Sequence, residues 1–256
     1  MKLFSRQYSD GGPPLIILHG LFGNQANWAG HAKELANDYS VYAFDLRNHG
    51  KSDWSDEHSY PVLAEDVCET INELGLERVS MIGHSMGGKT AMYCALAYPE
   101  LVDKLVVVDI APVTYLSGEY MPLSAMQAVD LSELRSRQQA ASIMAQYIDT
   151  EEIINFLLTN LQRNKEGEFS WRCNLKVIAS HFDEIRSWPE LENVFAGETL
   201  FVKGADSDYL QEKYRGEIAL HFPNSALKII DNAGHWVHSQ KPKAFLKIVS
   251  GFLSAE

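Results

Sequence analysis

The chain has 256 residues, of which 46% are hydrophobic and 22% charged, a composition that fits one globular domain and excludes an intrinsically disordered chain. Its formal net charge of −12 produces a field that repels nucleic-acid phosphates and anionic membrane surfaces. We therefore expect neither nucleic acid nor a membrane as a partner.

The first residues, MKLFSRQYSDGGPP, lack the apolar segment of a secretory signal, and no stretch reaches the roughly 20 apolar residues of a membrane span. Cys68, Cys94 and Cys173 are widely spaced and form no C-x-x-C pair, so neither a disulfide framework nor a zinc site is expected. We expect a cytoplasmic protein that uses no metal and no cofactor. The sequence does not determine its oligomeric state.

Short apolar runs alternate with longer segments of helical periodicity, which is typical of parallel strands joined by crossover helices. The runs end at His19, Asp45, Gly83, Asp109, Gly204 and Asp231. Helical periodicity is clear in residues 61–74 and 86–98. We predict an α/β fold whose mostly parallel central sheet is flanked by helices.

The interval between Asp109 and Thr199 breaks this alternation. It contains helical patterns such as RQQAASIMAQYI and EEIINFLLTNL but no convincing strand. It is too long for an ordinary connection and must carry structure of its own. We predict a helical cap over about residues 112–196, inserted into one domain whose core comprises about residues 1–111 and 197–256.

The segment GHSMGGKT, residues 83–90, fits two unrelated catalytic patterns. Its first five residues match G-x-S-x-G, which presents a serine nucleophile, here Ser85, on a turn between a strand and a helix. The whole segment, with Lys89 and Thr90 at its end, also matches the G-x-x-x-x-G-K-[ST] phosphate loop. Both motifs lie between a strand and a helix, so local context does not decide between them.

Motifs elsewhere in the chain favour the serine hydrolase. His235, in NAGHWVH, follows the last predicted strand and is the candidate general base. The turn HGLFG, which begins at His19 and Gly20, can direct the backbone N–H of Leu21 at the nucleophile, and the N–H of Met86 is the second candidate oxyanion donor. The phosphate loop explains neither of these motifs.

Two glycines of GHSMGGKT support the interpretation of this segment as a serine nucleophile turn. A serine exposed on a strained turn needs small neighbours two positions away on either side, and Gly83 and Gly87 supply them. Lys89 and Thr90 are then interpreted as ordinary residues in the first turns of the following helix.

The motifs HGLFG, DLRNHGKS, GHSMGG and GHWVH occur in the order and spacing of the α/β-hydrolase superfamily, and this resemblance covers essentially the whole chain. Within the superfamily, R-N-H-G, the D-I-A-P that begins at Asp109 and G-H-W-V-H resemble the small bacterial esterases of the YbfF type. The resemblance implies hydrolysis of a small-molecule carboxylic ester through an acyl-enzyme, with acyl-CoA thioesters as candidate substrates.

The acid departs from the common family pattern. In the segment GADS, Ser207 occupies the position where many family members have an aspartate. The YbfF-type resemblance implies instead that the acid is Asp109, with Ser207 as a supporting polar residue near the histidine. Asp206 is the alternative acid, and a capping role at the strand end is the alternative for Asp109.

Further residues receive structural interpretations. Residues 45–52 are interpreted as a loop that supports the oxyanion turn, with substrate contact by His49 as the alternative, and His84 as packing beside the nucleophile. Aromatic residues of the cap are candidates for an acyl pocket, although the cap's own core is the favoured role: Phe169, Trp171, Phe182 and Trp188. Cap arginines provide a hypothetical site for coenzyme A phosphates: Arg135, Arg137, Arg163, Arg172 and Arg186.

Two other functions stay open at this point. The same fold supports carbon–carbon bond hydrolases and cofactor-free lyases, which differ in substrate and not in the nucleophile turn. A binding module that has kept the fold but lost turnover is the non-enzymatic alternative.

Overall fold

The computed structural model describes residues 1–115 and 119–255. Its strands are β1 (Phe4–Gln7), β2 (Pro14–Leu18), β3 (Ser40–Asp45), β4 (Val79–His84), β5 (Val102–Val108), β6 (Leu161–Arg163), β7 (Phe169–Trp171), β8 (Glu198–Gly204) and β9 (Ser225–Ile230). Its α-helices are α1 (Ala29–Leu35), α2 (Tyr60–Glu73), α3 (Met86–Ala97), α4 (Met121–Gln127), α5 (Arg137–Met144), α6 (Glu151–Leu158), α7 (Leu175–Ser180), α8 (Phe182–Arg186), α9 (Arg215–His221), α10 (Val237–Gln240) and α11 (Pro242–Leu253). Short 3-10 helices lie at Gln25–Trp28 and Glu212–Tyr214.

Seven strands form the central sheet, in the order β1-β3-β2-β4-β5-β8-β9. Strand β1 pairs antiparallel with β3, and the other neighbouring pairs are parallel. Because the strands are parallel, the carboxyl ends of β2, β4, β5 and β8 meet at one edge of the sheet, where a site can be assembled from distant parts of the chain. The predicted α/β architecture is confirmed.

Side-chain alternation along the strands builds two apolar layers. Ile16 and Leu18 point into the layer that contains apolar residues of α2 and α3, whereas Leu15 and Ile17 point into the layer formed with α1 and α11. All four side chains are fully buried. The sheet is therefore covered on both faces, and its strands read as nearly continuous apolar runs in the sequence.

Two features of the sheet differ from the sequence-based expectations. Strand β1 was not predicted, because FSRQ is short, polar and half exposed, and it lies at the edge of the sheet. The expectation that no strand lies between Asp109 and Thr199 was wrong, because β6 and β7 form a small antiparallel hairpin there. Each of these strands has three residues, too few to show alternation.

The chain between β5 and β8, which we call the insertion, lies over the carboxyl edge of the sheet. The backbone N–H of Asn174 donates to the Asn48 carbonyl, in the loop after β3, at 2.8 Å. Asn160 Nδ2 donates to the Phe22 carbonyl, in the turn after β2, at 2.7 Å. The insertion therefore contacts the same loops that surround the nucleophile turn. Across the two described ranges, no helix has the length and hydropathy needed to cross a bilayer.

Candidate active site

The turn between β4 and α3 exposes Ser85 in a strained conformation. Ser85 has φ 52° and ψ −117°, a backbone region that side chains with a Cβ rarely occupy. A Cβ on Gly83 would overlap the Gly87 carbonyl oxygen, and a Cβ on Gly87 would overlap the His19 carbonyl oxygen. The two glycines of G-x-S-x-G are thus required because the chain folds back on itself at this turn and α3 packs directly on the end of β2.

Ser85, His235 and Asp109 form a continuous chain of hydrogen bonds. The distance from Ser85 Oγ to His235 Nε2 is 3.0 Å, and that from His235 Nδ1 to Asp109 Oδ2 is 2.8 Å. Ser85 follows β4, Asp109 follows β5, and His235 follows β9. Asp109 is fully buried and the His235 side chain is 12% exposed. The structure therefore brings together the three residues that the sequence assigned to nucleophile, base and acid.

The carboxylate of Asp109 is held from several sides. Its backbone has φ 51°, a left-handed conformation, and the extended strand β5 ends one residue earlier, at Val108. Oδ1 accepts from the Gly204 N–H at 3.0 Å, and Oδ2 accepts from the Ser207 hydroxyl as well as from His235. Asp206, the alternative acid, is exposed, and only its backbone hydrogen bonds to Ala233 in the described structure.

The turn after β2 lies beside the nucleophile. Leu21 and Met86 line the same cavity as Ser85. Gly20 accepts from the Gly23 N–H at 2.9 Å and closes the turn. A Cβ on Gly20 would meet His84 Nδ1 at 2.7 Å, so this position has no room for a side chain.

Two buried histidines support this turn as hydrogen-bond acceptors. His19 Nε2 accepts from the Leu46 N–H at 2.9 Å, and His49 Nε2 accepts from the Phe22 N–H at 3.2 Å. Each ring therefore carries its proton on Nδ1, which faces a backbone carbonyl. Burial lowers the pKa of His19 to about 4 and that of His49 to about 3. Both rings are neutral near pH 7, and the interpretation of residues 45–52 as support for the turn agrees with this geometry.

The same loop contains a buried ion pair. Arg47 donates to Asp66 through Nε at 2.6 Å and through Nη2 at 2.9 Å. Asp45 accepts from the backbone N–H of Gln25 at 2.6 Å and of Lys51 at 2.8 Å. Asp66 was not identified from the sequence, because one acidic residue in an amphipathic helix carries no local signal of its partner.

His235 is packed between two rings. Its imidazole stacks on Tyr209, with ring centroids 4.0 Å apart and planes at 24°. The ring of His84 lies 4.7 Å away on a tilted plane, and His84 Nε2 donates to the His235 carbonyl at 2.9 Å. His84 packs beside the nucleophile as expected. Tyr209 was not identified from the sequence, where it follows the GADS turn without any motif.

Lys89 differs from its sequence-based interpretation. Its side chain is buried at 1% exposure, and Nζ donates to the carbonyls of Arg186 at 2.9 Å and Ser187 at 2.6 Å. Burial lowers the pKa of Lys89 to about 7. Thr90 Oγ1 donates to the Met86 carbonyl within α3. Thr90 is thus an ordinary helix residue, whereas Lys89 is not. Both side chains donate to backbone carbonyls, whereas a phosphate loop would use them to bind a nucleotide.

A cavity of about 240 Å³ opens in front of Ser85, between α3 and the insertion. Its lining comprises Leu21, Tyr60, Ser85, Met86, Lys89, Ile110, Tyr115, Glu119, Tyr120, Phe182, Ile185, Arg186 and Tyr209.

Of the aromatic candidates in the insertion, Phe182 reaches this cavity, while Trp171 is buried in the apolar core and Trp188 lines a different, outer pocket. Of the arginine candidates, Arg186 lines the cavity, whereas Arg137 donates to the carbonyls of α6 and β6. Within the described ranges, no group of three metal-ligating side chains is present.

Comparison with known proteins places this chain in a family. A model of the alpha/beta hydrolase fold family matches residues 13–242. The sn-1-specific diacylglycerol lipase ABHD11 of Mus musculus is 40% identical over 250 residues, covering 94% of this chain and 81% of the lipase. Esterase YbfF of Escherichia coli is 36% identical over 242 residues, covering 94% of this chain and 93% of the esterase.

Solved structures agree with the sequence relatives. A marine microorganism esterase superposes with a TM-score of 0.95 at 39% identity, over 98% of this chain and 99% of that esterase. An E-2-(acetamidomethylene)succinate hydrolase has a TM-score of 0.79 at 21% identity, over 99% of this chain and 100% of that hydrolase, which shows a shared fold alone. With the family model spanning most of its length and curated relatives above 30% identity, the chain belongs to the α/β-hydrolase family.

Proposed function

We propose that this protein is a serine hydrolase that cleaves carboxylic esters, with Ser85 as nucleophile, His235 as general base and Asp109 as the orienting acid. The observation that carries the proposal is the hydrogen-bonded chain from Ser85 Oγ through His235 to the buried Asp109. The relatives named esterase and diacylglycerol lipase support the same reaction class. In this proposal the insertion acts as a cap that closes the cavity above Ser85.

The first half-reaction begins with proton transfer. His235 Nε2 accepts the proton of Ser85 Oγ as this oxygen attacks the ester carbonyl carbon. The Nδ1–H of His235 keeps its proton and donates a hydrogen bond to Asp109, which holds the ring in the required tautomer and stabilises the imidazolium that forms. His235 then protonates the leaving alkoxide as the carbon–oxygen bond breaks, and the acyl group stays on Ser85.

The negative charge of the tetrahedral intermediate needs preorganised donors. We assign this role to the backbone N–H groups of Leu21 and Met86, because both residues line the cavity beside Ser85. Neutral His19 and His49 support the turn that carries Leu21 without adding a charge of their own. Water activated by His235 attacks the acyl-enzyme, and the same steps in reverse order release the acid.

The volume of the cavity in front of Ser85 indicates that the substrate has a small acyl group. This volume of about 240 Å³ lies below the roughly 300–1,000 Å³ typical of pockets for drug-sized ligands. Aromatic and aliphatic side chains form most of its wall, which favours an apolar acyl group. Hydrolysis of acyl-CoA thioesters and a cytoplasmic location stay predictions from the sequence.

A panel of p-nitrophenyl esters and acyl-CoA thioesters of equal, graded acyl length tests the proposal on the parent protein and on Ser85→Ala. We expect the parent to hydrolyse short esters and the variant to lose turnover by roughly a millionfold, because the members of such a triad act as a unit. The measurement is kcat for each substrate, with circular dichroism as the check on folding. Folded Ser85→Ala that retains turnover contradicts the assignment of the nucleophile.

A fluorophosphonate probe gives a second, substrate-independent test. It reacts with an activated serine, so we expect labelling of the parent and none of Ser85→Ala. Folded parent protein that is not labelled points to a binding module that has lost turnover. Labelling without hydrolysis of any ester or thioester points instead to another reaction on the same fold.

A further inference from the structure

Lys89 connects the helix that carries the nucleophile to the insertion. It lies in α3, four residues after Ser85, and its backbone N–H donates to the Ser85 carbonyl at 3.0 Å. Its Nζ donates to the carbonyls of Arg186 and Ser187, where α8 ends. The proposed reaction uses none of these groups, and the buried ammonium therefore needs a separate explanation.

A second residue of the hydrolase core holds the same helix end. Tyr60 Oη, from α2, donates to the Ile185 carbonyl at 2.6 Å. Tyr60 and Lys89 thus bind three successive carbonyls, those of residues 185–187, from below the insertion. The Tyr115 N–H adds a bond to the Arg186 carbonyl at 3.0 Å.

Two aromatic rings lie close to the amine of Lys89. Nζ lies 4.9 Å from the ring centroid of Tyr115 and 5.4 Å from that of Tyr60. Backbone carbonyls and aromatic faces offset part of the cost of burying an amine that can carry a charge. The group is therefore stabilised by contacts that also fix its position relative to α8.

The part of α8 that Lys89 holds is a wall of the cavity. Phe182, Ile185 and Arg186 all line the space in front of Ser85, and Lys89 lines it as well. Any movement of the end of α8 away from α3 would lengthen that space. The contact between Lys89 and the two carbonyls therefore joins one wall of the cavity to the helix that follows Ser85.

We propose that Lys89 is a positioning residue that fixes the α8 wall against the nucleophile helix and thereby limits the length of acyl chain that the cavity accepts. This inference rests on the proposed ester hydrolysis and adds a determinant of its substrate range. Lys89 acts through α8 and does not contact the reacting atoms.

The test compares p-nitrophenyl octanoate with p-nitrophenyl butyrate on the parent and on Lys89→Met. Methionine keeps an unbranched apolar chain but removes the donors to Arg186 and Ser187. We expect the octanoate-to-butyrate ratio of kcat/KM to rise about tenfold, because the two hydrogen bonds that hold the end of α8 against α3 are lost. For butyrate, KM should rise more than kcat falls, because the contacts among Ser85, His235 and Asp109 are unchanged.

Lys104→Met is the matched control. Lys104 Nζ also donates to carbonyls at a helix end, those of Phe252 and Leu253 in α11 at 3.4 Å and that of Ala255, and it forms an ion pair with Glu198 at 3.2 Å. Lys104 is not among the residues that line the cavity. The control variant loses the same kind of contact, so we expect its octanoate-to-butyrate ratio to equal that of the parent.

The outcomes separate this inference from the proposed function. A folded Lys89→Met with the parent's ratio shows that Lys89 is merely structural, while ester hydrolysis by Ser85 still stands. A parent that hydrolyses neither ester removes the proposed function itself. If Lys89→Met does not fold, Lys89→Gln takes its place, since its side chain is one atom shorter and carries no charge. A rise in the ratio then supports the inference, and a ratio equal to the parent's overturns it.

Discussion

Asp109 shows how one side chain is selected from several acidic neighbours. Its two carboxylate oxygens accept from Gly204, Ser207 and His235, so the carboxylate is oriented by donors on three sides. A buried carboxylate with its donors in place can hold an imidazole in one orientation. Asp206 is two residues from Gly204 yet exposed to solvent. The difference between the two aspartates is one of direction and burial, not of distance along the chain.

This difference predicts a large loss of kcat for one conservative substitution and a small change for the other. Asp109→Asn should lower kcat by about ten-thousandfold, because an amide at this position favours the wrong tautomer of His235. Asp206→Asn, the matched control, should change kcat by less than about threefold, since substitutions of exposed side chains have small effects. Both are measured with p-nitrophenyl butyrate at constant pH. The reverse pattern would reassign the acid.

At the scale of secondary-structure elements, the nucleophile turn depends on how closely α3 packs against β2. Gly87 lies in the first turn of α3, and a Cβ there would overlap the carbonyl oxygens of Leu18 and His19. Gly251, in α11, has open space around the position of a Cβ and is exposed. The two helical glycines therefore have opposite roles, one required by packing and one not.

Replacement by alanine should separate these roles. Gly87→Ala should destabilise the fold by about 1–3 kcal/mol through overpacking and should remove most activity, because α3 must shift away from β2. Gly251→Ala should raise the free energy of unfolding by about 0.5–1 kcal/mol with activity unchanged, since alanine is the better helix former. Urea unfolding followed by circular dichroism measures both. A Gly87→Ala protein with parental stability and turnover would contradict the packing argument.

For the whole molecule, buried histidines make stability depend on pH. Burial lowers the pKa of His19, His31, His49, His58, His84 and His238. Below about pH 6.5 these histidines bind protons in the unfolded chain but stay neutral in the folded protein. Their contribution to the free energy of unfolding is therefore fully present above pH 6.5 and is lost as the pH decreases from 6.5 towards 4.

His238 provides a test of this pH dependence. Its ring stacks on Trp28 at a centroid distance of 4.3 Å, and burial lowers its pKa to about 3. His238→Phe keeps an aromatic ring there but removes one group that must stay neutral. Between pH 7 and pH 5 the variant should lose up to about 2 kcal/mol less unfolding free energy than the parent. Urea unfolding at both pH values measures this difference, and equal losses would show that His238 contributes nothing to it.

The sequence by itself determined the α/β fold and its family, because both depend on local order. Apolar runs followed by turn residues mark buried parallel strands, and the spacing of HGLFG, GHSMGG and GHWVH follows the order of those strands. Strands β1, β6 and β7 could not be predicted in this way, since segments of three or four residues at an edge or in a hairpin do not show a period.

Only the tertiary structure decided which side chains meet. The contact between Asp109 and His235 spans 126 residues, and that between Lys89 and Ser187 spans 98. Such contacts follow from the register of parallel strands and from the angles of the turns that follow them, including the left-handed conformations of Ser85 and Asp109. Residue type and spacing specify none of these, because a turn altered by one residue points its side chain elsewhere. From the sequence, Asp109 was one of two candidate partners of His235, and Lys89 was an ordinary helix residue. Placing the strands and the insertion in space showed that His235 contacts Asp109 and that Lys89 contacts the insertion.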